Sequence, residues 1–140
     1  MGTTLANILV PFDNSENSKR ALKNAIRWAK ISNGEITIVH VISYHNAIAK
    51  IIQPYKGKLI SHVNKFLKDA KHSAFKEGIP VRQQILYGSP SEEILKLLKK
   101  KKFDMIVMGR RGTTKITGQT LGSVSNALVQ NSKVPILVIN

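Results

Sequence analysis

The 140-residue sequence predicts an α/β protein, a doubly wound open sandwich built on a five-stranded parallel sheet. Three observations predict it. Short runs rich in β-branched residues alternate with segments whose apolar residues recur at helical spacing, which is the pattern of βαβ units. The runs are nearly continuous in apolar character, as strands covered on both faces are. No internal repeat, linker or low-complexity segment interrupts the alternation, so one domain is expected over residues 1–140.

The elements follow in order. Ala6 to Phe12 (ANILVPF) reads as a buried strand closed by the turn cluster Asp13-Asn14-Ser15. Leu22, Ala25, Ile26 and Ala29 share one face of the helix that follows. Asn33-Gly34 stops that helix, because either residue tolerates left-handed backbone. Glu35 to Ile42 is the second strand. Ser43 to Gly57 is the least legible stretch; Pro54 and Gly57 suggest a loop or a broken helix start. From about Lys58 the helical period returns in Leu59, Val63, Phe66, Leu67, Ala70 and Ala74, and Gly78 ends it. Val81 to Tyr87 is a third, less apolar strand. Ser89-Pro90-Ser91-Glu92 opens a helix: Ser89 as cap, Pro90 at the first position, Glu92 closing a capping box. Its apolar face is Ile94, Leu95 and Leu98. Phe103 to Gly109 is the fourth strand. A polar loop leads to a short helix from about Gly122 to Asn131, and Pro135 to Ile139 is the last strand.

Ligands of open α/β sheets bind beyond the carboxyl ends of the strands. That crevice would collect Pro11, Phe12 and Asp13, then Val41 to Ser43, then Met108 to Gly112, and Gly122-Ser123. Gly109-Arg110-Arg111-Gly112, nine residues, then Gly122-Ser123-Val124-Ser125 opening a helix is the most informative segment. Glycines admit a ligand close to the backbone, and free amides at a helix start attract phosphate. Ser123 and Ser125 would add hydroxyl donors. The Asp13 carboxylate could accept from an adenine amino group or a ribose hydroxyl; alternatively, Asp13-x-x-Glu16 is a capping box for the first helix. Neither GxxxxGK[ST] nor GxGxxG occurs.

With Ile8-Leu9-Val10-Pro11-Phe12-Asp13-Asn14-Ser15, Val39-His40-Val41, Gly88-Ser89-Pro90, Glu93-Ile94, the Asp104 to Gly112 segment, Gly122-Ser123-Val124-Ser125 and Val134 to Ile139, the sequence resembles the universal stress protein family over essentially its whole length. The spacing G-x-x-G, nine residues, G-[S/T] is similar to that of the family's ATP-binding branch. The resemblance implies a Rossmann-like sheet in order 3-2-1-4-5, of the kind seen in adenine nucleotide alpha hydrolases, and a homodimer. It also implies a site. Asp13 and the Val41 backbone would hold adenine, with Pro11 lining it. Gly109 would lie near the ribose, and Met108 is a further residue of the nucleotide site. Arg111, Gly112, Gly122, Ser123, Val124 and Ser125 would surround the phosphates. Arg110 stands where relatives commonly have a small residue; the cation either favours a triphosphate or points to solvent.

Composition sets limits on the alternatives. No cysteine is present, so disulfides, thiolate catalysis and thiolate metal sites are excluded. Histidines 40, 45, 62 and 72 lack metal-ligand spacing; Mg2+ or Mn2+ would arrive with ATP, held through phosphates and water. Trp28 and Phe66 read as core or helix-packing aromatics. No apolar run approaches the roughly 18 residues of a membrane span, and the first residues do not read as a leader. A cytoplasmic protein is expected. Net charge is +14, a field that attracts polyanions. Lys99 to Lys102, however, also stand where a helix C-terminus favours cations.

Three functions remain open at this point. The first is an ATP-binding stress-response or signalling regulator with an unknown protein partner. The second is a slow ATPase or related nucleotide-processing enzyme, for which no general base or nucleophile is evident. The third is a nucleic-acid-associated protein, against which no RNA-reading aromatic motif appears. The apolar last strand before Asn140 would expose unpaired backbone at a sheet edge, and pairing it with its symmetry mate would make a two-fold dimer.

Overall fold

Alternation along the first strand explains the layering. Ile8 and Val10 point to one side of the sheet and Leu9 to the other, and all three are completely buried. The computed structural model describes residues 6–43, 53–111 and 121–140. Its strands are β1 (Asn7–Pro11), β2 (Glu35–Ile42), β3 (Val81–Tyr87), β4 (Met105–Gly109) and β5 (Ile136–Ile139). Its helices are α1 (Glu16–Ser32), α2 (Lys56–Phe75), α3 (Pro90–Lys100) and α4 (Ser123–Asn131). The sheet order is β3-β2-β1-β4-β5 and every pairing is parallel.

One core joins Ile8, Val10, Ile36, Ile38 and Val107 to α1 and α2, through Leu22, Ile26, Phe66 and Leu67 among others. The second joins Leu9, Val39, Ile106 and Met108 to Ile94 and Leu97 of α3 and Leu128 of α4. Each side chain of this size contributes about 1.5–3 kcal/mol on leaving water. The ion pairs among the described residues are exposed and contribute little beside that.

Local chemistry sets the element ends. Ser15 caps α1 by accepting from the Ser18 N–H (3.1 Å). Asn33 ends it at φ 55, the left-handed conformation that asparagine tolerates. α2 begins at Lys56, preceded by a 3-10 turn at Gln53–Tyr55, so Gly57 sits inside its first turn, where added atoms would meet open space. Gly78 (φ 78) closes the turn after it. In α3, Pro90 occupies the first turn as expected, but Ser89 makes no side-chain cap bond. The expected capping box with Glu92 is not formed; instead Glu93 folds back against Gly88. The buried face of α3 is Ile94 and Leu97, with Leu95 and Leu98 half-buried. Phe103 is buried ahead of β4 rather than within it. There Asp104 exchanges two hydrogen bonds with the backbone of Asn7, both 2.9 Å. Phe66 is core as expected, whereas Trp28 is 40% exposed.

Candidate functional site

β1 is the switch point of this sheet, since the chain moves outward from it to β2 and β3, then returns to β4 and β5. A cleft of about 400 Å³ opens there at the carboxyl ends of the strands, where ligands of such folds bind.

The wall after β1 is built by a tight turn. Asn14 takes φ 67. The Asp13 carboxylate accepts the Ser15 N–H (3.0 Å), and the Ser18 hydroxyl donates to the Ser15 carbonyl (2.9 Å). The capping reading of Asp13 is therefore corrected: Ser15 caps α1, and Asp13 orders the turn before it. Asp13 lines the cleft and is the sole carboxylate among the described lining residues. Beside it, Phe12 donates its N–H to the Val39 carbonyl, and its own carbonyl accepts from His40 Nδ1, both at 2.8 Å. That bond places the ring proton on Nδ1. The imidazole stands edge-on to Phe66 at 5.0 Å.

The wall after β4 depends on two close approaches. A Cβ on Gly109 would lie 2.7 Å from Asn17 Cβ and 2.9 Å from its backbone carbon. Gly109 therefore lets β4 rest on the first turn of α1. Asn17 in turn donates from Nδ2 to the Arg111 carbonyl (3.0 Å) and accepts from Arg20. Arg20 Nε donates to the Asn140 carbonyl (2.8 Å). Gly122 is buried, donates its N–H to the Arg110 carbonyl (2.9 Å), and leaves 3.3 Å between a would-be Cβ and Arg111 Cα.

Gly122 is also the N-cap of α4 and, as glycine, supplies no side-chain cap bond. The N–H groups of Ser123, Val124 and Ser125 have no acceptor within their own helix, and the helix dipole adds partial positive charge there. This end of the cleft is built to attract an anion. The Ser125 hydroxyl is not an added donor, as the sequence suggested, because it donates to the Gly109 carbonyl (2.9 Å). Ser125 thus ties α4 to β4.

Ten of the eleven residues expected at the site line this one cleft: Pro11, Asp13, Val41, Met108, Gly109, Arg111, Gly122, Ser123, Val124 and Ser125. Gly112 lies outside the described residues, as do Thr113, Thr114, Lys115 and His45. Arg110 is not among the lining residues; its backbone instead joins Ile139 and Gly122. Sequence reasoning missed Ser15, Ser18, Val39, His40, Pro90 and Ile94 as lining residues. Ser18 carried a signal, being a polar residue on the otherwise apolar stripe Ala21-Leu22-Ala25. Pro90 and Ile94 carried none, because only the tertiary fold brings the start of α3 over β2.

The parallel 3-2-1-4-5 sheet and its switch-point cleft define a Rossmann-like α/β protein. The chain belongs to the universal stress protein family, whose sequence profile matches residues 4–140. It is 34% identical to the universal stress protein MJ0531 of Methanocaldococcus jannaschii, over 94% of this chain and 80% of that one. Among solved structures, MJ0577 of the same organism superposes with a TM-score of 0.88 at 29% identity, covering 98% of this chain and 96% of the other. A universal stress protein in complex with cAMP superposes with a TM-score of 0.73 at 25% identity, covering 99% and 98%.

Proposed function

We propose that this chain binds ATP in the switch-point cleft and acts in the cytoplasm as a nucleotide-dependent regulator of stress response or signalling, working as a homodimer. The observation that carries the reading is convergence. Residues from three strand ends and a helix start, more than one hundred positions apart in sequence, meet in one cleft with a carboxylate, a cation and a helix N-terminus. The cAMP complex of a similar protein supports an adenine nucleotide as the ligand class. In this reading Asp13 and the Val41 backbone hold the adenine end, with Pro11 against it. Met108 and Gly109 border the ribose. Arg111 and the amides of Ser123, Val124 and Ser125 take the phosphates, with Gly112 assigned there by the motif. Asp13 is a single carboxylate bound into a turn, so Mg2+ or Mn2+ would be held chiefly by phosphates and water. Nucleotide occupancy then selects a protein partner.

The test is made on the protein as purified. It is denatured, and the released small molecules are resolved by ion exchange against nucleotide standards. ATP is expected. ADP or AMP would favour the enzymatic reading, and an empty protein that also ignores added ATP would overturn the assignment.

The dimer is supported by β5. It lies at the sheet edge, and all four residues of Ile136–Ile139 stay half-exposed in the single chain. Exposed Trp28 and Ile31 sit on α1, the helix packed against β5. Sedimentation should give twice the chain mass, falling to the monomer on Val138→Lys. A wild-type monomer at micromolar concentration would refute edge pairing.

A further inference from the structure

The geometry points to a second anion site, in the cleft between α1 and α2, that takes a small molecule bearing two or more phosphate groups. The inference is independent of the ATP reading. This cleft has a volume of about 520 Å³, within the range of small-molecule sites. Leu22, Ile26, Phe66 and Ala70 form its floor, and its rim is cationic. Lys19, Lys23 and Arg27 follow one another along α1 at four-residue steps, which places them on one face about 6 Å apart.

Five cations line the cleft against the two carboxylates of Asp69 and Glu77. Glu77 is already engaged: its bond to Lys30, with Lys76 nearby, holds its carboxyl below the usual carboxylate range. Lys19 pairs with Glu16. Lys23 and Arg27 have no ion-pair partner among the described residues. Like charges four residues apart destabilise a helix, so the repulsion between Lys23 and Arg27, which no ion pair among the described residues offsets, is one that a bridging oligophosphate would relieve. Charge-assisted bonds from lysine and arginine to phosphate oxygens are the strong kind.

The shape argues for a compact ligand over a polymer. The Lys30–Glu77 bridge joins the C-terminal turn of α1 to the segment after α2 and crosses the cleft there. The aromatic on the floor, Phe66, is buried, so it provides no platform on which nucleic-acid bases could stack.

Tripolyphosphate is the probe, titrated into the full chain and followed by amide NMR signals and by calorimetry. Saturable shifts are expected at residues 19–30. The Lys23→Gln/Arg27→Gln variant should bind at least tenfold more weakly while unfolding at the same or a higher temperature. Lys99→Gln/Lys100→Gln should bind like the wild type. Gly122→Lys, which blocks the first cleft, should leave the α1 shifts intact. Shifts confined to residues 123–125, equal weakening in both double variants, or unchanged binding in Lys23→Gln/Arg27→Gln would each overturn the assignment. So would tighter binding of a 20-base-pair duplex competing for the same α1 signals, because the surface would then serve a polymer.

Discussion

Gly109→Val is expected to destabilise the fold by about 3 kcal/mol, the upper part of the usual range for overpacking. The reason is backbone contact. Even a single Cβ at this position would lie 2.7 Å from Asn17 Cβ, 2.9 Å from its carbonyl carbon and 3.0 Å from its carbonyl oxygen. None of these is the mobile end of a side chain, so β4 and the first turn of α1 must separate. The separation has further consequences, because Asn17 also holds the Arg111 carbonyl and Arg20. A loss of this size is a large share of the ~5–15 kcal/mol that stabilises a typical domain. Urea unfolding with the slope held constant measures it. Gly109→Ala should lose about half as much, and an alanine variant with an unchanged midpoint would contradict the packing account. The glycine that reads as a ligand-approach residue is thus already required by helix packing. Weakened ATP binding in a Gly109 variant would not by itself place a ligand near it.

Much of this was legible in the sequence, for identifiable reasons. β2 and β3 have the expected boundaries because β2 is a β-branched run that starts at the Asn33-Gly34 stop and β3 lies between the Gly78/Pro80 break and Gly88, and the stripe Leu22, Ala25, Ile26 and Ala29 is buried throughout. The misses came where one local pattern admits two structures. Asp13-x-x-Glu16 and the Ser15 N-cap satisfy the same capping logic two residues apart, and the left-handed turn at Asn14 decides for Ser15. Ser89 to Glu92 has the composition of a capping box, yet the acidic residue that folds back is Glu93. Trp28 is the large aromatic that size alone would bury, but it stays 40% exposed on α1. At the site, glycine and serine spacing was readable. What each residue touches was not: Ser125 proved to be a tie between α4 and β4, and Gly109 a packing contact. The cationic row on α1 was hidden for a related reason. Net charge is a sum over the whole chain, and only the pairing of α1 with α2 turns four-residue spacing into a lined cleft.

Gly122 provides the sharper test of the phosphate end. Gly122→Lys is expected to weaken ATP binding by at least 100-fold, a change of about 2.8 kcal/mol at roughly 1.4 kcal/mol per tenfold. Its stability should change by no more than about 1 kcal/mol, at the mild end of overpacking. The two effects separate because Gly122 has ordinary backbone, φ −72 and ψ 170, which any residue adopts. A Cβ there would be tight only against Arg111 Cα, at 3.3 Å, a contact that a shift of a few tenths of an ångström relieves; the Arg110 carbonyl oxygen and Arg111 Cγ stand at an ordinary 3.6 Å. A longer side chain must then extend past Arg111 or across the free amides of Ser123, Val124 and Ser125. Lysine adds a cation, which on charge alone should strengthen phosphate binding. Gly122→Leu supplies similar bulk without the charge. If blocking dominates, both variants lose ATP and lysine loses slightly less. If charge dominates, lysine binds as well as glycine and only leucine fails. Blocking should win, because the amides at a helix start bind phosphate by direct contact, and a surface cation screened by salt acts weakly across solvent. Calorimetric titration of ATP into both variants, with urea unfolding alongside, decides it. Wild-type affinity in both would show that the phosphates do not lie at the start of α4.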